Sequence, residues 1–332
     1  MKYDISIILP YCNNEDALSN AIESILDQSY EKFELLLVDF KSTDNSNQVA
    51  NEYANKDERI KLFSVEGKSI ASAFNKGISS SEGKYLAFMN AKDFSYPERL
   101  DKQYDFLEKN KEYDLVASCV NYINDDAMQY NFFEFVKWSN RIISYNDIVR
   151  NCFIESPLIH SSVMLRGKLV NKDALFREGD FPFDYELWLR LLDKGIKMYK
   201  LPDILLDWKD DPNRIYLSND NFSSQSFSEI KTYYLYNWLK NNNPYHPKVV
   251  VWGAGHSPRQ RFSLLRDLGV EAKFFIDLRA NPTYNVIEYT RTPPAGRFFI
   301  VCYVMNPEAR AKIKEFLVSL NYTEGKDFIF FG

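Results

Sequence analysis

Short apolar runs at residues 5–9, 33–38, 60–64, 85–89 and 114–118 are separated by longer stretches in which apolar residues recur at helical spacing. Continuous runs of this length suit strands buried on both faces, and the intervening pattern suits helices that cover them. Such alternation leaves few topologies, because strands joined by helical crossovers lie parallel and the crossovers are right-handed. The chain therefore begins as a β-α-β-α sheet. Helices are expected from about residue 15 to 28, after Thr43 and Asp44, across 70–79, and from Pro97 to 109.

A length of 332 residues leaves room for about two domains. Asn241, Asn242, Asn243, Pro244 and Pro247 crowd together as a linker signal, and strand runs at 248–252, 273–277, 298–302 and 327–331 follow it. With helices near 259–268 and 307–320, that order predicts a small Rossmann-like α/β domain. The expected boundaries are 1–215, a helical linker over 216–247 containing a helix near 227–240, and 248–332. Between the two sheets, residues 122–159 are irregular and aromatic. Residues 130–138 there are expected to form loops or an antiparallel excursion over one sheet edge, in an acceptor-binding region. Residues 184–192 carry apolar positions at helical spacing, with Gly195 as the stop.

Charge and cysteine usage exclude several classes. Lys and Arg number 41 against 46 Asp and Glu, a net charge of -5 with no basic block, which speaks against a nucleic-acid partner. Cys12, Cys119, Cys152 and Cys302 show no C-x-x-C spacing, and only three histidines occur in the chain, so a structural zinc is disfavoured and the thiols read as reduced. The N-terminal apolar run is too short for a signal peptide, and no stretch approaches the roughly 20 apolar residues of a membrane span. The expected location is cytoplasmic, at most peripheral to a membrane. Aromatics reach 16%, which packing explains by default although such rings also floor carbohydrate sites.

Chemistry in a parallel sheet collects where strands end, so the turn Asn90-Ala-Lys92-Asp93 after the run 85–89 is the expected floor of a site. Other landmarks stand in order around it. They are Ser6 to Pro10 with Asn13; Ser24 to Gln28; Phe33 to Val38 with Asp39, Ser42, Thr43 and Asp44; Asn75 and Gly77; His160 to Arg166; and Asp184 with Trp188 and Arg190. Over about residues 4–215 these segments resemble the family 2 glycosyltransferases, whose GT-A fold is a Rossmann-like, mainly parallel sheet that binds a nucleotide-sugar. The resemblance implies inverting transfer of a sugar from a nucleotide-sugar to a glycan or lipid-linked saccharide, in surface-polysaccharide assembly. It assigns Pro10, Tyr11, Asn13, Asp39, Asn75, Asn90, Lys92, Asp93 and Arg214 to the donor, His160 and Trp188 to the acceptor, and Asp184 to the general base.

Departures from the family pattern fall on functional positions. Phe40 replaces a second aspartate after Asp39, Phe183 replaces the glutamate before Asp184, and Lys92 stands where a carboxylate would ligate Mg²⁺ or Mn²⁺. An ammonium offers a hard cation no oxygen, so the usual metal site is expected to be broken. Lys92 has three readings: its charge replaces the metal against the diphosphate, the chain is a catalytically silent binding protein, or Lys92 faces solvent while Asp93 caps the next helix. Plainer roles stand beside the others as well: a turn carboxylate for Asp39, a helix-start charge for Asp184, core packing for Trp188, a satisfied structural ring for His160 and a loop cation for Arg214. In the second domain Gly253 and Gly255 open an incomplete dinucleotide fingerprint, with Pro258 in place of its last glycine and Asp277 ending the next strand. An assembly role, a homo-oligomer contact included, and an NAD-linked oxidoreductase are the two readings of that domain.

Overall fold

The strand β1 (Ile5–Tyr11) is buried along its whole length, as its unbroken apolar sequence requires, and it pairs in parallel with β2 (Phe33–Asp39) and β4 (Tyr85–Phe88). The computed structural model describes residues 2–66, 69–124, 130–170, 175–209 and 224–332. It divides into two units, residues 1–145 with 157–221, and residues 146–156 with 222–332.

In the first unit, β3 (Ile60–Ser64) extends the parallel set beyond β2, while α1 (Leu18–Leu26), α2 (Ser46–Ala54), α3 (Ile70–Ser79) and α4 (Arg99–Lys109) supply helical connections. β5 (Phe94–Ser95), β6 (Leu115–Ile123), β7 (Met164–Arg166) and β8 (Met198–Lys209) complete an eight-stranded sheet in the order β3-β2-β1-β4-β7-β6-β8-β5. β7 lies antiparallel between β4 and β6, so its first residues stand at the edge where β4 ends. That reversal brings residues 160–164 to the strand-end turn.

Gly77 lets α3 lie directly on the sheet. A Cβ there would come within 2.5 Å of Ile8 Cγ2 and 3.3 Å of Val38 Cγ2. Beneath β1, Glu34 is fully buried, accepts from Ser6 Oγ at 2.5 Å and pairs with Lys61 at 2.7 Å, so its charge is met from two sides.

Residues 130–138 correct the sequence expectation of loops or an antiparallel excursion, because they lie within a helix, α5 (Tyr130–Asn140). Phe132, Phe135, Val136 and Ser139 recur at helical spacing, and the rings of Phe132 and Phe135 meet Trp208 at 6.0 and 6.3 Å. Ser139 and the carbonyl of Pro157 accept from the ammonium of Lys200, whose burial brings its pKa down to about 7.

The second unit is built on α6 (Tyr145–Asn151), α8 (Ser224–Asn242) and a five-stranded sheet; α7 (Phe183–Asp193) belongs to the first. The sheet comprises β9 (Lys248–Trp252), β10 (Glu271–Asp277), β11 (Val286–Glu288), β12 (Ile300–Cys302) and β13 (Phe328–Phe330), with α9 (His256–Asp267) and α10 (Pro307–Ser319) between strands. Its order is β11-β10-β9-β12-β13, and every pairing between these strands is parallel. Buried Lys231 on α8 donates to the carbonyl of Ile154, which ties residues 146–156 to this unit rather than to the first.

Gly77→Ala is expected to lower the denaturation midpoint, although Ala is the better helix former by about 1 kcal/mol, because the added methyl meets Ile8. A raised midpoint would show that α3 does not rest on the sheet through this position.

Candidate active site at the strand ends

The turn after β4 is held from below and from both sides. Arg99, at the first turn of α4, is fully buried; its Nη2 donates to the carbonyl of Phe88 at 2.9 Å and its Nε to Gln103 Oε1 at 3.2 Å. Burial brings its pKa down to about 10, which leaves it charged at neutral pH, and Asp93 is the nearby anion that opposes the shift. Asp93 is itself 2% exposed, accepting from the backbone N–H of Lys209 and from Asn90 Nδ2, each at 3.0 Å. β5 and β8 pair immediately beyond, so the turn is closed by sheet.

His160 precedes β7 and reaches this turn because that strand runs antiparallel. Its Nε2 lies 2.7 Å from Asn90 Oδ1, and its Nδ1 lies 3.5 Å from Asp184 Oδ2. Asp184 sits in the first turn of α7, with Oδ1 accepting the N–H of Tyr185 at 2.8 Å and a side chain 14% exposed. Its negative charge is favourable at that helix end. Asp93, Asn90, His160 and Asp184 thus form one polar chain that runs from the strand-end turn to the helix start. Phe74 and Phe183 stand edge-on to the imidazole, each with its centroid at 5.7 Å, so Phe183 walls the ring in.

Several expected residues take other places. The amide of Asn75 is spent on Phe176, donating to its carbonyl at 2.7 Å and accepting its N–H at 3.0 Å, which fixes the segment leading to α7. Tyr11 is buried in the core and its hydroxyl donates to Asn47, with burial raising its pKa and Asp39 adding to the rise. Pro10 is a buried strand residue. Trp188 is fully buried, so it packs in the core and floors no acceptor. Asn13 and Asp39 hold the turns after β1 and β2 together: Asn13 Oδ1 accepts the N–H of Thr43 at 2.7 Å, and Asp39 Oδ1 accepts that of Ser42 at 3.1 Å. Arg214 lies outside the described residues.

Sequence reasoning missed Arg99, the Asn75 clamp and the buried pair of Glu186 with Arg190, whose Nη2 donates to the carbonyl of Leu175 at 2.7 Å. A usable signal existed. Arg99 and Gln103 stand on the otherwise apolar face of α4 beside Leu100 and Leu107.

The turn does not fit a divalent ion. Lys92 supplies no oxygen, Asp93 is spent on Lys209 and Asn90, and Asn90 Oδ1 faces His160. Among the described residues no group of three or more His, Cys, Asp or Glu could hold a metal. In the second unit, Asp277 accepts the N–H groups of Ala254 and Leu278, each at 2.7 Å, and so closes the turn that holds Gly253 and Gly255. Gly253 has φ +108°, and a Cβ there would lie 3.1 Å from Pro258 and from the carbonyl of Tyr303. Gly253 thus lies directly against Pro258 at the start of α9.

The family described as Glycosyl transferase family 2 matches residues 6–172. EpsE of Bacillus subtilis, named as a glycosyltransferase, is 31% identical over 229 residues, spanning 68% of this chain and 77% of that one. The UDP-Glc:alpha-D-GlcNAc-diphosphoundecaprenol beta-1,3-glucosyltransferase WfgD of Escherichia coli is 31% identical over 235 residues, spanning 69% and 83%. The crystal structure of S. aureus TarS 1-349 in complex with UDP-GlcNAc shares the fold with a TM-score of 0.55 at 17% identity, covering 80% of this chain and 71% of that one. The chain belongs to glycosyltransferase family 2, and its eight-stranded sheet is a GT-A fold. It is a glycosyltransferase. Among the described residues no helix is long and apolar enough to cross a membrane.

Arg99→Met is expected to destabilise the protein by about 1–3 kcal/mol, since it strips the buried Phe88 carbonyl of a donor and Asp93 of its nearby cation. Chemical denaturation checks this, and an unchanged midpoint would remove Arg99 as the support of the turn.

Proposed function

We propose that this chain moves a sugar from a nucleoside-diphosphate sugar, UDP-linked, to a hydroxyl of a lipid-linked saccharide or glycan, with inversion at the anomeric carbon. One observation carries the reading: Asp184 is joined through His160 to Asn90, in the turn where the family resemblance puts the donor. A base and a donor floor set on either side of one imidazole suit a single displacement, in which the acceptor hydroxyl loses its proton as the diphosphate leaves from the opposite face. The donor class is supported by the UDP-Glc in WfgD's name and the UDP-GlcNAc in the TarS complex; the acceptor class is supported by the diphosphoundecaprenol-linked sugar in WfgD's name.

Lys92 is half-buried in the turn and stands for the missing ligand of the family's metal. A fixed ammonium there would offset the charge that develops on the leaving diphosphate, as a point charge without directional bonds. Asp184, whose side chain is 14% exposed, would take the acceptor's proton. Asn13 and Asp39, which shape the turns after β1 and β2, would frame the nucleoside.

Titration calorimetry with UDP is expected to give affinities equal within about threefold with and without Mg²⁺ or Mn²⁺, since the turn lacks the oxygens those ions need. Lys92→Met is expected to weaken UDP about tenfold, close to 1.4 kcal/mol; binding that appears only with metal would defeat the role of Lys92. Asp184→Asn is expected to lower kcat for UDP-sugar turnover by about 10²-fold to 10⁴-fold while UDP affinity persists. Unchanged turnover would remove Asp184 as the base.

A further inference from the structure

We propose that His160 is a positioning residue for Asp184: Asn90 fixes its proton on Nε2, so that Nδ1 accepts a hydrogen bond from Asp184 once that side chain holds the acceptor's proton. The inference rests on the reading of Asp184 as the base.

The carboxylate of Asp93, when ionised, can only accept hydrogen bonds. It takes the N–H of Lys209 at Oδ1 and therefore takes an N–H, not an oxygen, from Asn90 at Oδ2. The amide nitrogen of Asn90 is thus turned to Asp93 and its oxygen to His160, 2.7 Å from Nε2. A carbonyl oxygen cannot donate, so the proton between them belongs to Nε2. In the neutral ring that is the single proton, and Nδ1 then presents a lone pair 3.5 Å from Asp184 Oδ2. The rings of Phe74 and Phe183 also stand against the imidazole, and His160 is 5% exposed, so Asp184 meets it in a largely apolar, buried setting.

While Asp184 is ionised, lone pair faces lone pair and neither side gains. After proton abstraction the Oδ2–H can donate to Nδ1, and the acid form acquires a hydrogen bond that the carboxylate lacks. Stabilising the product of proton transfer in this way lowers the barrier to it. The acceptor O–H bond breaks and its proton passes to Asp184 Oδ2; the acceptor oxygen bonds to the anomeric carbon; the bond from that carbon to the diphosphate oxygen breaks, leaving its electron pair on the diphosphate. His160 forms no bond to substrate.

Nitrogen NMR of the full chain with labelled histidine, at neutral pH, tests the tautomer without any turnover. The His160 ring, identified by its loss in His160→Gln, is expected to show a protonated Nε2 and a bare Nδ1; a proton on Nδ1, with or without one on Nε2, overturns the proposal. Hydrolysis of UDP-glucose and UDP-N-acetylglucosamine supplies the second readout. His160→Phe is expected to lower kcat about 10-fold to 100-fold with KM changed less than about twofold, and His160→Asn, whose amide oxygen can lie near the Nδ1 position, to recover most of it. Added to Asp184→Asn, His160→Phe is expected to cost nothing further, because it acts through that carboxylate. A proportional rise in KM, or an additive loss in the double variant, overturns the role. If Asp184→Asn leaves kcat intact, the base assignment and this role fall together; if it collapses kcat while His160→Phe does not, only this role falls.

Discussion

The amide of Asn90 is held between an acceptor and a donor, and the site takes its shape from that constraint. Asp93 demands the nitrogen and His160 receives the oxygen, so a side chain that could turn either way has one orientation. Asp93 can make this demand because Arg99 lies buried beneath it and the N–H of Lys209 fills its other oxygen. A buried carboxylate with neither would be costly to keep ionised. From this fixed amide the polar chain continues to His160 and Asp184, and the helix start gives the last carboxylate a favourable place.

The same constraint explains why the turn departs from a metal-binding design. Its carboxylate is committed to internal bonds, its amide oxygen faces an imidazole, and its central position is a lysine. Phe183 belongs to the same arrangement, since its ring stands against the imidazole.

Much of the fold was legible because burial on both faces writes itself into a strand as continuous apolar sequence, as in residues 33–38 and 85–88. The helix at 130–140 is not the loop or antiparallel excursion that the irregular, aromatic sequence around it suggests. The spacing within it, from Phe132 through Phe135 and Val136 to Ser139, was the better guide. Within the site, Asn90, Asp93, His160 and Asp184 were each visible as landmarks, but Asn75 and Tyr11 were assigned to the donor when their polar atoms serve Phe176 and Asn47. A side chain's identity states what bonds it can make and says nothing of which partner is nearest.

By itself the sequence determined the alternation of strands and helices, the family and the two-sheet organisation, all of which follow from residue type and order along the chain. Only the tertiary structure decided that β7 runs antiparallel beside β4, because its neighbours, β4 and β6, are nearly fifty residues or more away in the chain. That one reversal carries His160 to Asn90, 70 positions away, and sets it against Asp184. Local propensity has no reach over such separations, and it is packing of the whole sheet that brings the four side chains into one chain of contacts.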